Sequence, residues 1–151
     1  MSIGIWAQSN DPKTESAKRR IESLPLSKTG HGKKVPFPYA SRTAYKDIFT
    51  NEEINHAINS APVKIIRIAG LHAIQHSVRG DRVEEYIKHP NLLEEGQRSP
   101  KHKGLIDLPI VVQYRGIRYI HDGHHRTTAE WALGHNKVEA RFVDLDHLHQ
   151  V

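Results

Sequence analysis

Apolar residues along this chain switch between strand-like and helix-like spacing, and the switches mark its elements. Residues 63–68 (Val-Lys-Ile-Ile-Arg-Ile) read as a strand, as do the apolar runs 108–114 and 117–120 and the later stretch 137–143. Helical spacing appears elsewhere. Thr50-Asn51-Glu52-Glu53 is a capping box, and Ile54, Ala57 and Ile58 follow at i, i+3, i+4, which predicts a helix ending before Pro62. Asp81-Arg82-Val83-Glu84 is a second capping pattern; its helix runs to about Lys88 and stops at His89-Pro90. Residues 127–133 form a third helical run, closed by Gly134. Residues 16–24 suit a short basic helix, 33–39 look extended, and the segment carrying Gly70, His72, Gln75 and His76 reads as a loop. The stretch 90–107 is long and polar, which marks a functional or irregular connection.

Strands and helices in this order predict a small α/β (α+β) domain with a compact mixed sheet. A basic, partly irregular extension (residues 1–45) precedes the domain proper (46–151). A chain of 151 residues with 37% hydrophobic and 26% charged positions is an ordinary globular chain. No apolar run approaches membrane-spanning length, no signal-peptide core opens the chain, and there is no cysteine, which excludes disulfides and thiolate metal sites. These features lead us to expect a cytoplasmic protein with no membrane partner.

The net charge of +5 is uneven. Residues 1–40 hold seven basic and three acidic side chains, so most of the excess lies there. Lys18, Arg19, Arg20, Lys33 and Lys34, with Arg98, Lys101 and Lys103 of the long connection, are candidates for holding nucleic-acid phosphates. The alternative is a solvated leader.

Candidate chemistry concentrates in His121-Asp122-Gly123-His124-His125-Arg126, between a strand end and a helix start. The first N–H groups of a helix lack internal partners and favour anions. Asp122 fits the N-cap, or with His121 or His124 could ligate a divalent ion, the set completed by His72, His76 and Gln75 of the other loop. Gly123 lets a ligand approach the backbone. Arg126 would clamp phosphate, or else pair with Glu130 at i+4. On a helical wheel His125 falls with Ala129, Ala132 and Leu133 toward the sheet, and His124 points away toward a ligand. Either histidine suits general acid–base work. Thr127 and Thr128 offer hydroxyls to a phosphate, or are plain first-turn surface residues. Trp131 either packs in the core or meets the N-terminal arm. The terminal residues 144–149 read as a fraying tail, with weak metal binding as the alternative.

The run Pro109-Ile110-Val111-Val112, then Asp122-Gly123-His124-His125-Arg126-Thr127-Thr128-Ala129, then residues 137–143, resembles the ParB/sulfiredoxin superfamily over residues 63–144. The Asp-Gly-His-His-Arg form is similar to that of ParB-like nucleases, many of them phage or plasmid encoded. The resemblance implies a phosphate role for the turn and for Gln75 in the preceding loop. Sulfiredoxin chemistry needs a cysteine where His124 stands, and the chain is short for the additional domains of partition proteins. What it implies about function is therefore threefold: a nuclease acting on DNA with Mg or Mn, catalysed by His124, His125, Asp122 and Arg126; a switch that binds CTP or ATP; or a non-catalytic module gripping DNA or a protein partner.

Overall fold

In the computed structural model the described residues are 12–27, 32–40, 44–88 and 108–148. They form a mixed α/β fold of four helices and two sheets. In chain order these are α1 (Pro12–Glu22), β1 (Lys33–Lys34), α2 (Asn51–Asn59), β2 (Val63–Arg67), β3 (Leu71–Ala73), β4 (Ser77–Val78), α3 (Gly80–Lys88), β5 (Ile110–Tyr114), β6 (Ile117–Asp122), α4 (His124–Ala132) and β7 (Lys137–Asp144), followed by a 3-10 turn, Leu145–His147.

The main sheet has the order β2-β7-β5-β6-β3. The β2–β7 and β5–β6 pairs are antiparallel, whereas β5–β7 and β3–β6 are parallel. Alternation along the strands sends side chains to two cores. Val111, Ile120, Val138, Ala140 and Phe142 point to one face, where they meet Ala17 and Ile21 of α1, Val83 and Ile87 of α3, and Ala129 and Ala132 of α4. Val112, Tyr119 and Val143 point to the other, where they meet Tyr45, Phe49 and Ile54. The sheet is thus covered on both faces, and α4 is held flat against it.

The capping box at Thr50 forms as the sequence predicts: Glu53 N–H donates to Thr50 Oγ1 at 3.0 Å, and Thr50 N–H donates to Glu53 Oε1 at 2.9 Å. Replacing Thr50 by Ala removes one acceptor from the start of α2 and is expected to cost about 1 kcal/mol, a fall of about 3 °C in a thermal melt.

Three expectations are corrected. Residues 12–27 and 32–40 do not lie merely on or beside the domain: Ala17, Ile21, Val35 and Phe37 are buried in its core, and β1 pairs with β4. The stretch read as a loop after β2 contains β3 and β4, strands too short for period counting to detect. The residues read as a fraying tail act as a clasp. Asp146 accepts the Arg115 and Gly116 N–H groups, both residues having positive φ in the β5–β6 turn. These backbone donors hold the Asp146 carboxyl below its usual range. Arg98, Lys101 and Lys103 lie outside the described residues.

Candidate anion-binding turn at the head of α4

β6 runs out at Asp122, and Gly123 turns the chain into α4 with φ of 91°, the left-handed conformation. Glycine is required here for a second reason. A Cβ at this position would lie 2.8 Å from Pro109 Cα and 2.9 Å from Pro109 Cβ, at the start of the neighbouring strand. Gly123 is itself the N-cap, and no side chain caps the helix. The expectation that Asp122 caps α4 is corrected: its carboxylate accepts the Gly123 N–H, one residue too early to serve the first turn. Among the described residues no side chain takes the free N–H groups of the first turn of α4.

The two histidines exchange the roles that the wheel assigns. His124 is buried, 3% exposed, and its Nε2 accepts the Ile74 N–H at 3.2 Å. His125 is half-buried, and its Nε2 accepts the Arg79 N–H at 3.1 Å. The wheel failed because the helix begins at His124 and residues 74–79 fold over its first turn, burying a face the sheet does not reach. Both rings must be neutral to accept these bonds, with the proton on Nδ1. Burial pushes His124 down to about 4, with His125 and His121 adding like-charge repulsion. Burial also lowers His125, helped by the Arg82 and Arg79 charges. With each Nε2 lone pair spent on a backbone donor, the pair braces the loop, and that position is not free to take a proton from water.

His121 Nδ1 bonds the Tyr45 hydroxyl at 2.5 Å. Burial, then the Lys46 charge, lowers His121, and burial raises the Tyr45 phenol. Among the described residues no group of three or more His, Asp or Glu side chains is placed to hold a metal ion. Thr127 and Thr128, expected as either phosphate donors or surface residues, are neither. They are 1% and 0% exposed, and their hydroxyls donate back to Gly123 O and His124 O at 2.8 and 2.7 Å. Arg126 is also buried. It opposes the rise that burial imposes on the Glu130 carboxyl, the i+4 partner weighed for it from the sequence. Gln75 donates to Ser77 O within its own loop.

The N-terminal cations are used in several ways. Lys33 Nζ donates to Glu22 O and Leu24 O. Arg20 lies over the Trp131 ring, 4.3 Å from its centroid, so the indole does meet the N-terminal segment. Lys18 is 4.0 Å from Glu15, and Arg19 and Lys34 are exposed.

The residues that sequence reading missed are Arg79 and Arg82. Arg79 precedes α3, whose first turn holds Arg82, and the Arg79 N–H bond to His125 sets the start of α3 beside the start of α4. Two helix N-termini and two arginines therefore converge on the turn. A signal was present in the arginines flanking Asp81, but nothing local says that this helix start meets the other. Arg79 is engaged by Asp81, at 2.7 and 3.2 Å.

No family model, curated protein or solved structure matches this chain. Among the described residues no helix is long and apolar enough to cross a membrane.

Proposed function

We propose that the protein binds nucleic acid, gripping a backbone phosphate where the starts of α3 and α4 meet. The observation that carries this is the His125 Nε2 bond to Arg79 N–H, which sets the start of α3 beside the Gly123 turn, where the Arg82 and Arg79 charges outweigh those of Asp81 and Asp122 at His125. The strand–turn–helix–strand order β5-β6-α4-β7 supports the ParB/sulfiredoxin-like reading of the chain. Engagement of both Nε2 atoms favours a binding role over the metal-assisted nuclease, in which a histidine would have to activate water.

A nucleotide reading has an observation of its own. Tyr39 and His76 are exposed and stacked, with centroids 3.6 Å apart and planes at 23°. His76 sits in the loop whose two ends are pinned to α4. An aromatic pair beside a phosphate grip suits a base, whether from CTP, ATP or an unpaired strand.

Fluorescence anisotropy with duplex and single-stranded oligonucleotides across a salt series is the test. Wild type is expected to bind with strong salt dependence. Arg82→Ala should weaken binding about tenfold and reduce the salt slope by about one. If neither oligonucleotide binds at low salt, the proposal fails. A plasmid-cleavage arm with Mg or Mn and a melting arm with CTP or ATP separate the alternatives: EDTA-sensitive cutting supports the nuclease, and a nucleotide-specific rise in melting temperature supports the switch.

A further inference from the structure

A cleft of about 760 Å³ lies at the opposite end of α4 from the turn. Its lining includes Phe37, Leu71 and Trp131, with Arg20, Arg67 and Lys137 as its fixed cations and no carboxylate. The cations come from three elements, α1, β2 and β7.

Arg67 and Lys137 are directly paired residues of the antiparallel β2–β7 ladder. Like charges directly opposite across two strands repel. Both are exposed, and among the described residues no ion pair involves Arg67, Lys137 or Arg20. Arg20 is preorganised by its stack on Trp131 and by the bond from Nη1 to Ala132 O at 3.3 Å. A guanidinium has five N–H donors, and this contact spends one.

A helix C-terminus ordinarily repels anions. Here its carbonyls are already engaged. Glu130 O accepts from His135 N, Trp131 O from Gly134 N, and Ala132 O from Arg20. Glu130 itself is buried, with its carboxylate 3.5 Å from His135. The local field is therefore set by the cations.

We propose that this cleft binds a small organic phosphate, its phosphate held by Arg67, Lys137 and Arg20 and its apolar or aromatic body lying along Trp131 and Phe37. The cleft is far larger than inorganic phosphate requires and falls within the range of small-molecule sites, about 300–1,000 Å³. This site is separate from the α4 turn and shares no residue with it.

Trp131 supplies the readout. The only other tryptophan is Trp6, so a Trp6→Phe background leaves Trp131 as the sole indole reporter. AMP and CMP, inorganic phosphate and a short oligonucleotide are titrated against Trp131 emission. A saturable change with AMP or CMP is expected. Arg67→Gln and Lys137→Glu should each weaken it about tenfold, while Arg82→Ala leaves it unchanged. Lys137→Glu also replaces a repulsive cross-strand pair by an attractive one, so the ligand-free protein should melt about 2 °C higher. That rise shows that the lost binding is not lost folding. Four results would each overturn the proposal: no response to either nucleotide at millimolar concentration, undiminished binding in Arg67→Gln and Lys137→Glu, inorganic phosphate binding as tightly as the nucleotides, or a response to the oligonucleotide alone.

Discussion

Gly123→Ala is expected to lower stability by about 3 kcal/mol. Two costs add. A φ of 91° is unfavourable for any residue with a Cβ, at about 1–2 kcal/mol. The new methyl would also meet Pro109 Cα at 2.8 Å and Cβ at 2.9 Å, contacts on backbone and a rigid ring that cannot swing aside. Overpacking of this kind costs about 1–3 kcal/mol. Gly116→Ala is the control: its φ is 75°, but nothing lies within 4 Å of the added methyl, so only the conformational cost remains. Urea unfolding of the two variants separates the terms. Equal losses would show that the Pro109 contact relaxes freely. Because the same turn aims the head of α4, Gly123→Ala should also lose oligonucleotide binding under conditions where it is still folded.

Acid should destabilise the protein well above the usual carboxylate range, and His124 should be the main cause. Its folded pKa, about 4, lies below the ordinary histidine value of 6.5. Between these values the unfolded chain takes up a proton that the folded chain refuses, so stability falls as pH falls from about 6.5 toward 4. For a buried ring such a shift corresponds to about 3 kcal/mol of stability, present in full above the unfolded pKa and fully lost below the folded one. His121 and His125 are shifted the same way and add to the slope. Glu130 acts in the opposite sense, since burial raises its carboxyl. Comparing wild type with His124→Gln isolates the effect. The glutamine oxygen can still accept the Ile74 N–H but cannot titrate, so the difference in stability between the two proteins should shrink or reverse as pH is lowered through this window. A pH-independent difference would remove His124 as the cause.

Both predictions concern a turn whose chemistry was legible in the sequence and whose geometry was not. Asp122, Gly123, His124, His125 and Arg126 stand out in one dimension as a polar cluster between a strand and a helix, and the structure puts a strand before it and a helix after it. Which of these side chains is buried depended on residues 74–79, about fifty positions earlier, folding over the helix. No periodicity within the helix contains that information. That Arg79 and Arg82 lie beside the turn was hidden for the same reason.

What the sequence determined by itself was local: the strands at 63–68, 108–114, 117–120 and 137–143, the α2 capping box and the glycine at the head of α4. Each follows from side-chain spacing or from a backbone angle that one residue type tolerates, and neighbours in sequence suffice to set it. The tertiary structure alone decided the rest. It drew α1 into the core, because an amphipathic helix gains more by burying Ala17 and Ile21 than by remaining in water. It gave the histidine lone pairs to backbone N–H groups, because a buried polar group is costly until it is partnered. And it set Arg67 opposite Lys137, a juxtaposition fixed by the β2–β7 register and not by any feature of either strand alone.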